Sequence, residues 1–255
     1  MSQDDFAAHT AAAGQELAPD TLLWTTWQAD CETLGLTLTP EQIGQMQAYY
    51  DLLTETNYQM NLIRLGSLSD FLNRHLLDSL AIHALIPMGA RLVDLGSGGG
   101  FPLIPLSIAR PDITAWGVES TGKKCRFLDR VKTELALSHL TITQTRGEEF
   151  AHVQTMRESF DMATARAVAA LPALLELTIP LLKTGGHLIA MKGLSYEEEL
   201  AQSRRALTVL HTTLETVIPT PHPKLSGARI LLFKKQQATP LAYPRSPGTP
   251  TKKPL

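Results

Sequence analysis

The pattern of apolar and polar positions changes near Arg91. Before it, apolar residues recur at helical spacing. Ile43, Met46, Tyr50 and Leu53 form one inward stripe, and Leu72, Leu76 and Leu80 form another. Thr39, Pro40 and Gln42 give the first of these helices its start: a hydroxyl cap, a proline at the first helical position, and an amide able to close a capping box. The second helix follows Ser69, and Leu22 to Leu34 also reads as helical. From Arg91 onward, short β-like runs alternate with helical stretches, as in a parallel sheet built from βαβ units. The candidate strands are 91–95, 113–118, 140–144, 160–165 and 187–191. A later pair near 207–217 and 229–234 is consecutive in the chain and suits antiparallel pairing.

This texture divides the chain into residues 1–18, a flexible tail; 19–88, a helical extension; 89–235, the main α/β domain; and 236–255, a second flexible tail. The last is read from Pro240, Pro244, Pro247, Pro250 and Pro254. Composition agrees with a folded protein: 44% of the 255 residues are apolar and 19% charged, which excludes intrinsic disorder as the main state. The net charge of −2 excludes a basic coat, so any contact with nucleic acid must be focal. Cys31 and Cys125 share no metal-ligand spacing, the start of the chain carries no signal pattern, and no apolar run approaches the roughly 20 residues a bilayer needs. These features predict a cytoplasmic protein with no metal and no membrane partner.

The chemistry concentrates where the first strand ends. Val93-Asp94-Leu95-Gly96-Ser97-Gly98-Gly99-Gly100 runs from an apolar strand into a helix beginning near Phe101 to Leu103. In a doubly wound sheet that loop lies at the carboxyl edge, where ligands bind. A dinucleotide fingerprint needs glycine at 101, which is Phe, and a triphosphate loop needs a Gly-Lys-Ser/Thr that is missing. Leu92 to Pro102 instead reads as the strand and loop that hold S-adenosylmethionine, with Gly96, Ser97 and Gly98 in contact. Glu119 ends the second strand about 20 residues later, where a carboxylate can accept from both ribose hydroxyls. Gly147 and Glu148 follow the third strand and could meet an adenine edge.

The ordered series Asn61-Leu62, Arg74-His75-Leu76-Leu77-Asp78-Ser79, Asp94 to Pro105, Lys124 with Arg126-Phe127-Leu128, Arg146 to Glu149, Ala165-Arg166-Ala167 and Lys192-Gly193 resembles the bacterial small-subunit ribosomal RNA guanine-N7 methyltransferases, the glucose-inhibited division protein B family. The match runs from about Thr39 to Lys235. It implies a class I S-adenosylmethionine-dependent methyltransferase fold: Rossmann-like, a mostly parallel seven-stranded sheet with helices on both faces. It also implies transfer to N7 of a guanine in 16S RNA, free or within the assembling small subunit. Gly96, Phe101, Gly147, Glu148 and Arg166 occupy that family's cofactor-contact positions. The family loop usually reads Gly-Thr-Gly-Pro-Gly-Leu-Pro-Gly; here Ser97, Gly99, Phe101 and Leu103 replace four of its residues, keeping a hydroxyl and an apolar contact. Ile63 likewise replaces a usual Thr.

Methylating an exocyclic amine calls for an Asp/Asn-Pro-Pro-aromatic loop, and cytosine C5 chemistry calls for a nucleophilic cysteine. The matching stretch is Thr164-Ala165-Arg166-Ala167-Val168, and Cys125 reads as a small buried residue. Guanine N7 carries a lone pair and no proton, so attack requires orientation and no general base. Arg166 has two readings: a fork of donors beside cofactor and guanine, or an ion pair with Asp161 or Glu148. Arg74, with His75, is assigned to the cleft wall, and Asp78 is placed to hold Arg74 at i,i+4. Lys192 lines the cleft or reaches solvent. Lys123, Arg126 and Arg130 make a basic stripe that either meets RNA or is a solvated face. Two other functions stay open. A class I methyltransferase of small molecules or proteins would be separated by comparing methyl transfer to subunits, naked RNA and extracts, and a non-catalytic binding module by its failure to bind S-adenosylmethionine.

Overall fold

The computed structural model describes residues 18–225 and 227–255, so the expected N-terminal tail lies outside the described residues except for Ala18. Helix α1 (Pro19–Thr33) buries Trp24, Trp27 and Cys31, which share one face. Helix α2 (Pro40–Met60) starts as its sequence requires. Thr39 Oγ1 accepts from the Gln42 amide at 3.2 Å, and the Thr39 amide donates to Gln42 Oε1 at 2.9 Å. Its most buried residues are Met46, Tyr49 and Leu53, at i, i+3 and i+7; Tyr50, named in the expected stripe, is only half-buried at the edge of that face.

The expected helix after Ser69 begins earlier, because Ser67 and Asp70 form their own capping box at α3 (Leu68–Asp70). It then widens into a π-helical turn, Phe71–Leu77, and returns to α4 (Asp78–Leu80). Leu72, Leu76 and Leu80 are buried, as their stripe predicts. The segment from 19 to 80 is therefore helical but not an independent unit. Its apolar residues merge into a single cluster with those of the sheet and of the helices that follow.

The sheet contains β1 (Arg91–Leu95), β2 (Thr114–Glu119), β3 (Leu140–Gln144), β4 (Phe160–Arg166), β5 (Leu182–Lys192), β6 (Thr212–Pro219) and β7 (Arg229–Lys235). Their order across it is β3-β2-β1-β4-β5-β7-β6. The first five are parallel neighbours, and β7 pairs antiparallel with both β5 and β6. The expected strand near 207–217 is half helix. After α9 (Tyr196–Gln202), α10 (Arg204–Val209) occupies its first part, and the chain turns at His211, whose φ is +52°, before β6 begins.

Successive residues of β1 point to opposite faces, so Leu92 joins the cluster with α1, α2, α5 (Leu103–Ala109) and α6 (Gly122–Glu134), while Val93 and Leu95 join the cluster on the other face. The second cluster lies beneath α7 (Gly147–Phe150) and α8 (Leu171–Thr178). All parallel strands thus end at one edge, where the glycine loop leaves β1.

Residues 236–255 depart from the flexible tail expected of them. They run along the surface as an ordered strap ending in α11 (Thr249–Lys252). Arg157 donates to the carbonyls of Tyr243, Thr239 and Pro240, and a ring nitrogen of His152 lies 2.9 Å from the Pro244 carbonyl. The physical reason is Glu176, on α8 and 0% exposed. A carboxylate buried in an apolar helix requires a partner. Arg245 supplies it, with Nε to Oε1 at 2.8 Å and Nη2 to Oε2 at 2.6 Å.

Candidate functional site

The edge where the parallel strands end carries two adjoining hollows. One, a cavity of about 220 Å³, is lined by Gly96, Glu119, Gly147, Glu148, Val168 and Thr251 among others. The other is a larger cleft of about 690 Å³, whose walls include Asp78, Arg166, Ala167, Met191, Lys192 and Glu199. Val168 and Ala169 line both, so the two share a wall. Gly96 permits that closeness: its φ is +69°, and a Cβ there would stand 2.8 Å from the Val168 side chain.

The predicted residues distribute unevenly. Gly96, Glu119, Gly147 and Glu148 come together in the smaller cavity, and Arg166 and Lys192 in the cleft. Ser97, Gly98 and Phe101 stand at one remove. The Gly98 amide donates to Glu119 Oε2 at 3.0 Å, the Ser97 hydroxyl donates to the Asp94 carbonyl, and Phe101 packs under the Arg166 guanidinium, 5.0 Å from its ring centre. Glu119 is 6% exposed and also accepts from the Thr121 amide at 2.8 Å through Oε1. Cys125 is buried, its thiol donating to the Glu119 carbonyl.

Arg166 has neither of the acid partners considered for it. Asp161 is taken by Lys183 and the Arg91 amide, and Glu148 lies by Arg146 and Gly248. Its guanidinium reaches across to the π-helical turn instead. Nη1 donates to Asp78 Oδ2 at 3.0 Å and to the Arg74 carbonyl at 3.2 Å, and Nη2 lies 3.2 Å from His75 Nδ1. Arginine cannot accept a hydrogen bond, so His75 Nδ1 is the acceptor and its imidazole is neutral. Burial, reinforced by Arg166, pushes the His75 pKa down to about 4. Burial pulls the Asp78 carboxyl upward, against the guanidinium that favours its charge. Asp78 therefore does not hold Arg74, which pairs with Asp70 at 3.2 Å and is otherwise exposed. At the end of β4 the chain turns at Ala167, whose φ of +56° is rare for a side-chain-bearing residue.

Tyr49, which the helical stripe passed over, donates to the Gly99 carbonyl at 2.5 Å and so ties α2 to the loop. The loop accommodates it only because residue 100 is glycine: a Cβ there would lie 2.8 Å from the Tyr49 hydroxyl. Asp94, at the start of the glycine loop, is a second residue whose role the sequence pattern does not indicate. Its Oδ1 accepts from Thr164 at 2.8 Å, while Oδ2 is buried without a partner. Burial pushes its pKa up to about 7, against the pull of the Ser97 and Thr164 hydroxyls and of Arg166.

On α6, Arg130 bonds Glu134 at 2.6 Å and Glu55 at 2.8 Å, so its charge is largely answered within the protein. Lys123 and Arg126 lie on the exposed face. Lys192 donates to Glu199 at 2.7 Å and to the Ala169 carbonyl at 2.9 Å. Among the described residues no cluster of three or more His, Cys, Asp or Glu is placed to hold a metal, and no helix is long and apolar enough to cross a membrane.

A family model described as rRNA small subunit methyltransferase G matches residues 42–224. The chain belongs to this family. Among relatives of this methyltransferase, the Ribosomal RNA small subunit methyltransferase G of Desulfitobacterium hafniense is 40% identical over 225 residues, covering 88% of this chain and 94% of that one. The protein of the same name from Geobacillus kaustophilus is 40% identical over 234 residues, covering 91% and 98%, and that of Bacillus subtilis 36% identical over 224 residues, covering 87% and 94%. Solved structures share the fold at low identity. A SAM dependent methyltransferase from Aquifex aeolicus aligns with a TM-score of 0.52 at 11% identity, covering 72% of this chain and 97% of that one. The cyclase SpnF aligns at 0.55 and 15%, covering 79% and 97%. A cyclase on this fold shows that the architecture alone does not dictate methyl transfer; family membership carries that assignment.

Proposed function

We propose that the protein transfers a methyl group from S-adenosylmethionine to N7 of a guanine in small-subunit (16S) ribosomal RNA, free or in the assembling subunit, in the cytoplasm. The observation that carries this reading is the pair of adjoining hollows. One is headed by Gly96, Glu119 and Gly147, the other by an arginine fork whose neighbours Asp78 and His75 are engaged in holding it.

The residues fit the cofactor. Glu119 already accepts two backbone amides, and an ionised carboxylate has about four acceptor sites, which leaves capacity for two ribose hydroxyls. The orphaned Asp94 Oδ2 is 1% exposed as a residue and needs a donor, a need that the amino group of the methionine portion would meet. When bound, the cofactor supplies an electrophilic sulfonium methyl. Glu119 and Asp94 would fix its two ends, and the apolar Leu95, Val118 and Val168 would keep water from the space between. Three of the five guanidinium donors of Arg166 are engaged with Asp78, Arg74 and His75, which leaves two for the acceptor's O6. This aims the N7 lone pair, and no side chain has to take a proton.

Arg74 and Lys192 would border the RNA path, and Lys123, Arg126 and Arg130 would meet phosphates farther out. The test is transfer of labelled methyl from S-adenosylmethionine to undermethylated small subunits and to naked 16S RNA, with small-molecule and protein extracts as controls. Incorporation confined to the extracts would overturn this reading.

A further inference from the structure

The strap that follows Lys235 reaches the smaller cavity through Thr251. The strap is pinned along its length to the segment that follows β3. Lys235, fully buried, donates to Glu158 Oε1 at 2.7 Å, and the Thr239 amide donates to the same oxygen at 2.9 Å. Arg157 and His152 then hold three carbonyls and a fourth, and Arg245 closes the run on Glu176. Beyond that anchor the chain turns at Gly248, whose φ is +80°, and its amide donates to Glu148 Oε1 at 2.7 Å. Glu148 is 3% exposed and lines the smaller cavity. Three residues on, Thr251 lines that same cavity, as does Leu177 of α8. Pro250, buried, packs that turn down.

We propose that the end of the strap, residues 243–255, is part of the cofactor site: Thr251 forms the outer rim of the adenine compartment, and Glu148 is the latch that holds the strap there. Three observations fit together. Of the segments that line the cavity, Thr145 to Glu148 and Thr251 come from parts of the chain about a hundred residues apart. The buried Glu148 carboxylate spends one oxygen on the strap's amide, with Arg146 Nη2 at 3.6 Å from the same atom. Arg245 itself is locked in place twice, since Nη2 also donates to the Lys253 carbonyl. A hydroxyl at the rim can donate to or accept from a purine edge, so Thr251 would discriminate the nucleoside base, leaving the methionine end to the loop and Asp94.

The proposal rests on the cofactor reading above, and calorimetry on the full chain separates the two. Wild type should bind S-adenosylmethionine and S-adenosylhomocysteine. Thr251→Ala should weaken both by the same factor, roughly fivefold, the scale of one neutral hydrogen bond. Its melting temperature without ligand should be unchanged. Glu148→Ala should weaken both ligands further and make the strap amides near Gly248 exchange faster with deuterium. Wild-type affinity in Thr251→Ala, together with unaltered exchange at the strap in Glu148→Ala, would overturn the proposal while leaving the cofactor reading intact. Failure of wild type itself to bind either ligand would overturn both.

Discussion

Arg166 at the end of β4 and Asp78 at the end of the π-helical turn are joined at 3.0 Å across the mouth of the cleft. A widened turn is a costly local arrangement that recurs at functional sites. Here it brings His75 and Asp78 onto one guanidinium while Phe101 supports the guanidinium from below. The fork is thus oriented by residues nearly ninety positions upstream.

Arg166→Lys keeps the charge and loses the planar fork. Single-turnover methyl transfer should fall on the order of 100-fold, the scale of an ~1 Å misplacement of a reacting group. Asp78→Asn should lower the rate roughly tenfold with little change in cofactor affinity, because it loosens the fork without touching the smaller cavity. Near-normal rates in both variants would remove the orienting role.

Glu119→Ala should weaken S-adenosylmethionine binding by about 1.5–3 kcal/mol, the range for hydrogen bonds to a charged group. Part of that loss comes through the loop, since the Gly98 amide loses its acceptor. Calorimetry returning an unchanged dissociation constant would sink the ribose assignment.

The pH dependence has two limbs. Asp94, raised to about 7 by burial, holds its proton more tightly folded than unfolded. Its contribution to ligand-free stability is therefore full below about pH 4 and lost as pH rises through 7. His75, lowered to about 4, works in the opposite direction: its contribution is present above about pH 6.5 and lost as pH falls toward 4. Thermal melts of Asp94→Asn and His75→Asn should flatten the upper and lower limbs respectively. A cofactor amino group favours ionised Asp94, so cofactor affinity should climb through pH 7. Transfer at saturating cofactor should stay flat, since N7 has no proton to lose. A steep rise of the saturated rate with pH would point to a general base and another acceptor.

On the basic face, Arg126→Gln should reduce the salt slope of subunit binding by roughly one, while Arg130→Gln should change it less, because Glu55 and Glu134 already answer that charge. Equal slopes in wild type and Arg126→Gln would make the stripe a solvated surface.

Much of this was legible in the chain. Strands β1 and β3 fall where their apolar runs predict, and Thr39 and Gln42 cap α2 as their types require. These features are local: a cap, a run, a glycine loop. What escaped is made of contacts between distant segments. Tyr49 and Tyr50 are chemically alike in sequence; the fold separates them by packing Tyr49 on Phe101 and Phe127 and setting its hydroxyl on the Gly99 carbonyl. The π-helical turn shifts the facing of residues 71–77, so i,i+4 reasoning paired Asp78 with the wrong arginine. One signal did exist for the strap. Glu176 sits alone in the apolar run Leu171 to Leu177, and a buried acid implies a cation somewhere else in the chain.

The central claim is that the guanidinium fork aims guanine N7 at the cofactor methyl. It is tested most directly by treating undermethylated small subunits with the enzyme and S-adenosylmethionine, then reducing the RNA and cleaving it with aniline, which breaks the chain at 7-methylguanosine. The account predicts one new enzyme-dependent break at a guanine, greatly weakened with Arg166→Lys. Methyl incorporation without any such break would contradict it.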